Sequence, residues 1–169
     1  MNSNLNHINI LLNSDNINNM LNYALKISDE IFLTELKDLN IVNYKYTPKL
    51  AIEELGLDLE LVNQLIEDYV IQIIKSNIIF LEHINELQDA KNNNKELDYT
   101  PLRELAHKNL GVARNLRIED SEKILYEIMT NDNLDYILRC MEGLMASVIL
   151  LKPTQAYNTI RLIKIKDSI

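Results

Sequence analysis

The sequence predicts an all-α fold, an up-down four-helix bundle with an additional N-terminal helical segment. Two observations carry that prediction. Hydrophobic residues make up 47% of the chain while glycine and proline number 3 each, a balance that favours long helices over a turn-rich sheet fold. Apolar side chains also recur every three to four residues through most of the chain, the repeat of a helix with one buried face. A chain of 169 residues has the size of one ordinary domain. It can bury roughly 70% of its unfolded surface, enough to fold without a disulfide or a metal.

Residues 1–46 read as an N-terminal helical extension, 47–152 as the four-helix bundle and 153–169 as a C-terminal tail. The extension is rich in asparagine, and its first dozen residues are weakly patterned. From Asn16 the pattern improves, with Ile17, Met20, Leu21, Ala24, Leu25 and Ile31 at helical spacing and Ser14 or Asp15 as cap. Asn40 to Tyr46 is a connector. A short helix over 47–56 ends at Gly56, a C-cap glycine, and Asp58 caps a long helix over 59–88. Between Val70 and Leu81 that helix is apolar nearly all round, so it must be covered on several sides, one by the bundle core and another by the N-terminal helix or a second copy of the chain.

After a loop at 91–95, Thr100 as N-cap and Pro101 at the first helical position open the next helix, which ends near Arg117. A third helix runs over 120–130. A fourth follows the turn Asn131-Asp132-Asn133, with Leu134, Ile137, Leu138, Met141, Leu144, Met145 and Val148 inward. The short connections between these helices make sequential neighbours antiparallel. The tail, Ile160 to Lys166, fits a last helix or a strand-like arm.

Composition narrows the function classes. A net charge of −8 opposes nucleic-acid binding, and no basic stripe interleaved with aromatics stands against that balance. No stretch approaches the roughly 20 apolar residues that span a bilayer, and no membrane association is expected. The single cysteine, Cys140, cannot form an internal disulfide, which fits a reduced, cytoplasmic setting and a small core residue. Glu104-Leu105-Ala106-His107 has the Glu-x-x-His spacing of di-iron bundles, but such sites need a second pair and two more glutamates, and neither His7 nor His83 supplies one. No metal site is expected.

The stretch Leu105 to Leu116 is the most informative. It sets His107 in mid-helix with Gly111 one turn further on the same face, where a glycine costs about 1 kcal/mol relative to alanine and so has a local reason. At about 100° per residue, Gly111, Arg103 and Arg114 fall within about 40° of His107, while Leu102, Ala106 and Ala113 point largely to a core. An imidazole with open space beside it and guanidinium groups in reach suits a histidine that carries a phosphoryl group and meets another protein.

This stretch resembles the signature of the histidine-containing phosphotransfer (Hpt) domains of bacterial two-component phosphorelays. It reads roughly His-x-x-Lys-Gly, then small residues and Asn-Leu. His107, Gly111, Asn115 and Leu116 fall in register, and Ala51 to Asp58 followed by a long apolar helix with Glu67-Asp68-Tyr69 is similar to the start of such a domain. The resemblance covers roughly residues 46–151, and it departs from the family at Leu110, which stands where the family has lysine.

The resemblance implies a phosphoryl carrier rather than a turnover enzyme. Its partner would be a response-regulator receiver domain or a hybrid histidine kinase, and its phosphoacceptor would be His107. No cofactor is implied for this chain; the divalent cation belongs to the receiver. Neutral imidazole, available near pH 7, would attack phosphorus in line, with catalysis mostly by positioning and charge stabilisation. Arg103, Lys108 or Arg114 would supply the charge of the missing lysine. Arg114 comes first, because a guanidinium grips phosphate oxygens in a fork. Two further readings accompany this one: a non-catalytic module of the same fold that docks on a receiver or kinase, and a helical dimerisation or adaptor protein working as a homodimer through its N-terminal helix.

Overall fold

The computed structural model describes residues 2–167; residue 1 of the N-terminal extension and residues 168–169 of the tail lie outside the described residues. Among them the secondary structure is all helical. The elements are α1 (Asn2–Leu12), α2 (Ile17–Leu33), a 3₁₀ turn (Lys37–Leu39), α3 (Lys49–Leu55), α4 (Leu59–Asn92), α5 (Thr100–Asn115), α6 (Glu119–Thr130), α7 (Leu134–Leu151) and α8 (Pro153–Asp167).

Local chemistry sets the helix ends. Asp58 accepts the Leu61 amide at 2.9 Å and starts α4, and Gly56, at φ 66°, closes α3 in the left-handed region where a side chain would be strained. Two caps differ from the sequence expectation. Asn16, rather than Ser14 or Asp15, accepts the amide three residues on, at 2.9 Å, and opens α2. Thr100 lies inside α5, not before it; the Asp98 carboxylate takes its amide at 3.0 Å. Both are Asx-type acceptors, and they win because a short carboxamide or carboxylate reaches the exposed amides of a first turn. Residues 2–12, weakly patterned in sequence, form a helix with Ile8 and Leu11 fully buried.

Helix α4 packs on α5 and α7, α5 on α6, and α6 on α7, so that these four close into a ring. Helix α7 is the hub. Every residue from Cys140 to Ile149 is buried, because α1, α2 and α8 cover the sides that α4 and α6 leave. Cys140 sits there as core, its thiol pKa pushed far up by burial. The tail is a helix, and it settles what covers the all-apolar middle of α4: α8 lies along α4, while the N-terminal helix α2 packs on α7 and α8. Pro153 fits this ending, since proline at a first helical position loses no hydrogen bond.

The connector over 40–46 is a strap tied to the turn between α5 and α6. The Tyr46 hydroxyl donates to the Leu116 carbonyl at 2.7 Å, and the Tyr44 hydroxyl donates to the Arg117 carbonyl at 3.3 Å and accepts from the Glu119 amide at 3.1 Å. Asn40 and Asn43 turn the strap with φ of 55° and 61°, the left-handed region that asparagine tolerates best after glycine. Among the described residues no helix is long and apolar enough to cross a membrane.

Candidate functional site

Helix α5 has two unlike faces. Leu102, Ala106, Leu110 and Ala113 are fully buried, and Asn109 is buried with them. Asn109 is not an orphan. Its side-chain oxygen accepts from Gln72 of α4 at 2.7 Å, and its nitrogen donates to the Ser76 hydroxyl and the Leu105 carbonyl, each at 3.0 Å. A satisfied polar group at a helix seam fixes register, because sliding α5 along α4 would strand it. The sequence placed Asn109 on the buried side but gave it no partners; an amide in an otherwise apolar seam was the available signal.

The other face carries His107, Lys108, Gly111 and Arg114, all exposed. His107 makes no hydrogen bond or ion pair among the described residues, so its ring is available to solvent or a partner. A methyl group added at Gly111 would meet nothing within 4 Å. The glycine therefore leaves a bare patch of helix surface one turn from the imidazole, as its spacing predicts.

The surrounding cations are distributed differently from the sequence expectation. Arg114, the first choice to grip phosphate, donates from Nε to Glu122 Oε1 of α6 at 3.2 Å. Arg103 pairs with Asp132 and lies over the Tyr99 ring at 4.9 Å, a cation–π contact. Both guanidinium groups are thus engaged, Arg114 by a carboxylate of α6 and Arg103 by one in the turn that follows it. Lys108 makes no ion pair, which leaves it as the unengaged cation of the three. Leu110, at the position of the family's lysine, faces the core. Glu104 and His107 both lie on the outer surface, so that pair cannot serve the inward ligand geometry of a di-iron bundle. Among the described residues no cluster of three metal-ligating side chains occurs.

A second polar group of this molecule escaped sequence reasoning. Glu142 of α7 is fully buried among α1, α2 and α7. Its Oε2 accepts from Arg139 at 3.0 Å and stands 3.9 Å from His7 Nε2, while Oε1 has no partner. Burial pushes the Glu142 pKa up to about 7, and burial also lowers that of His7, whose other ring nitrogen lies 2.8 Å from the Tyr23 hydroxyl. No motif marks this cluster, because its members come from positions 7, 23, 139 and 142 and meet only once α1 has folded back.

Compared with models of protein families, with curated proteins and with solved structures, the chain matches none.

Proposed function

We propose that this protein is a histidine phosphotransfer protein of a two-component phosphorelay, in which His107 accepts a phosphoryl group from the aspartyl phosphate of a receiver domain and passes it on. One observation carries the reading: an exposed, unpartnered imidazole beside the open surface at Gly111, on a helix whose opposite face is locked into the core. The ring of α4 to α7 is the part that an up-down Hpt-type bundle would use. In transfer, a ring nitrogen of neutral His107 attacks phosphorus. The bond from phosphorus to the aspartyl oxygen breaks as the bond to nitrogen forms, and the receiver recovers its carboxylate. Lys108 is the residue placed to balance the added charge of roughly −1.5 to −2. The reaction calls for a cytoplasmic setting, with the receiver or a hybrid kinase as partner.

A second reading rests on its own observation. With Leu110 in the core and both arginines ion-paired, Arg114 to α6 and Arg103 to the turn after it, the surroundings of His107 hold less free positive charge than the signature implies. A docking module of the same shape, binding a receiver or kinase without carrying phosphate, needs none. A homodimer through the N-terminal helix would have to use the outward side of α2, where Leu25 and Leu33 are exposed, because its other side is spent on α7 and α8.

The test is phosphoryl transfer from a panel of labelled receiver domains to wild type and His107→Gln. Acid-labile, alkali-stable label on wild type alone is the expected result. A folded wild type that binds a receiver yet never becomes labelled would replace the carrier with the docking module.

A further inference from the structure

A cavity of about 420 Å³ lies under the strap, between α2, the first turn of α6 and the C-terminal half of α7, away from the outer face of α5. Its volume is that of a small-molecule site. Leu25, Phe32, Ile41, Leu150 and Leu151 give it apolar walls. Tyr44 and Tyr46 line it as well, and their hydroxyls are tied to the turn between α5 and α6, so the two rings are held in place.

Ser28, Asn43 and Ser147 add neutral polar groups, and the charged lining is mostly acidic. Asp29 and Asp120 stand against a single lysine, Lys45. Asp120 is the telling residue. Its carboxylate accepts the Ser121 amide at 2.7 Å and pairs with no cation among the described residues. Burial raises its pKa to about 6, as expected of a carboxyl that has left water without gaining a counter-ion. An anionic ligand is disfavoured here, since Glu119, Asp120 and Glu122 already crowd the first turn of α6. A bare metal ion would lack ligands, because no cluster of three ligating side chains occurs among the described residues. The apolar and aromatic walls call for an apolar body, and the unpaired carboxylate calls for a positive charge on it.

We propose that this cavity binds a small organic cation, an ammonium carried on an apolar or aromatic body, with Asp120 as its counter-ion and Phe32, Tyr44 and Tyr46 against the body. The site is separate from His107 and stands whether or not that histidine carries phosphate.

The test is a ¹⁵N-amide NMR titration of the full chain near pH 7 with phenethylamine. The neutral counterpart is 2-phenylethanol and the anionic one 3-phenylpropionate. Saturable shifts at residues 28–32, 41–46 and 147–151 are expected, with the amine bound at least about tenfold more tightly than either counterpart. Asp120→Asn should weaken the amine by about tenfold and leave the alcohol unchanged. Ser147→Leu, which fills the cavity from the α7 side and keeps the carboxylate, should abolish binding of the amine even if the asparagine variant disturbs α6. The proposal fails if the amine gives no saturable shift, if the alcohol or the acid binds as tightly, or if either variant titrates like wild type.

Discussion

An added methyl group at Gly111 of α5 would meet nothing within 4 Å, whereas at Gly143 of α7 it would meet Phe32 Cε1 at 3.0 Å and Leu36 Cδ1 at 3.2 Å. Both glycines sit inside helices and both forgo about 1 kcal/mol of helix propensity. At Gly143 the return is packing: without a side chain there, Phe32 can seat against α7, and α2 approaches closely. At Gly111 no packing is gained, and the bare surface lies beside an unpartnered histidine. A helix glycine without a neighbour is therefore the better pointer to function. One with a neighbour is a pointer to fold, and only the structure tells them apart.

The contrast between α5, with one face free, and α7, covered all round, can be broken at four positions. The largest effect is expected from Leu110→Lys. If position 110 were the surface site that the family signature implies, a lysine there would be harmless and would favour transfer. Because Leu110 is fully buried, the ammonium loses its hydration and a core leucine is lost, at a cost of roughly 3 kcal/mol or more in urea unfolding. A cost under about 1 kcal/mol would return position 110 to the surface.

A smaller effect is expected at Glu142, and its sign follows from proton linkage. The folded pKa, about 7, lies above the ordinary value of 4.5, so the folded state holds the proton more tightly than the unfolded chain. Stability from this group is therefore greatest at acid pH and is lost as pH rises from about 4.5 to about 7. Glu142→Gln cannot lose a proton. Its stability relative to wild type should rise by on the order of 1–2 kcal/mol between pH 5 and pH 7, less what Arg139 forgoes in losing a charged partner. His7, with its pKa lowered, acts in the opposite sense by losing stability as pH falls below about 6.5, so the comparison is made between variant and wild type at each pH. A flat difference across that range would mean that Glu142 is ionised and well paired in the folded protein.

The smallest effects come from the glycines themselves. Gly143→Ala should destabilise by about 1 kcal/mol, since the crowding of Phe32 and Leu36 exceeds the gain in helix propensity. Gly111→Ala should stabilise by up to about 1 kcal/mol. If receiver docking covers that patch, the same alanine should weaken docking while raising the melting temperature. Equal signs for the two alanines would erase the distinction.

Much of this architecture was legible in the chain. The four ring helices, the Asp58 cap and the Gly56 stop follow from period and capping chemistry, which are local and so can be read within a turn or two. The exposure of His107 and the bare surface at Gly111 follow from the same arithmetic. What could not be read depends on which helix meets which. The apolar middle of α4 showed that something must cover it, but hydrophobicity carries no address, and α8 rather than the N-terminal helix lies there. The arginines illustrate the point again. Their phase on α5 was legible, while Glu122 and Asp132, which engage them, come from another helix and from the turn after it. Glu142 looked like an ordinary charge because nothing near it in sequence announces that α1 and α2 will bury it.

The seating of Phe32 against Gly143 has a consequence for how the protein is made. Roughly a hundred residues separate the two, and a ribosome adding about 5–20 residues per second needs on the order of ten seconds to pass from one to the other. Until Gly143 follows, Ile31 and Phe32 lack the helix surface against which they finally pack. A helix made well ahead of α7 thus waits for α7 to cover it, and a chain arrested before α7 would leave that oily face open to chaperones and to other nascent copies.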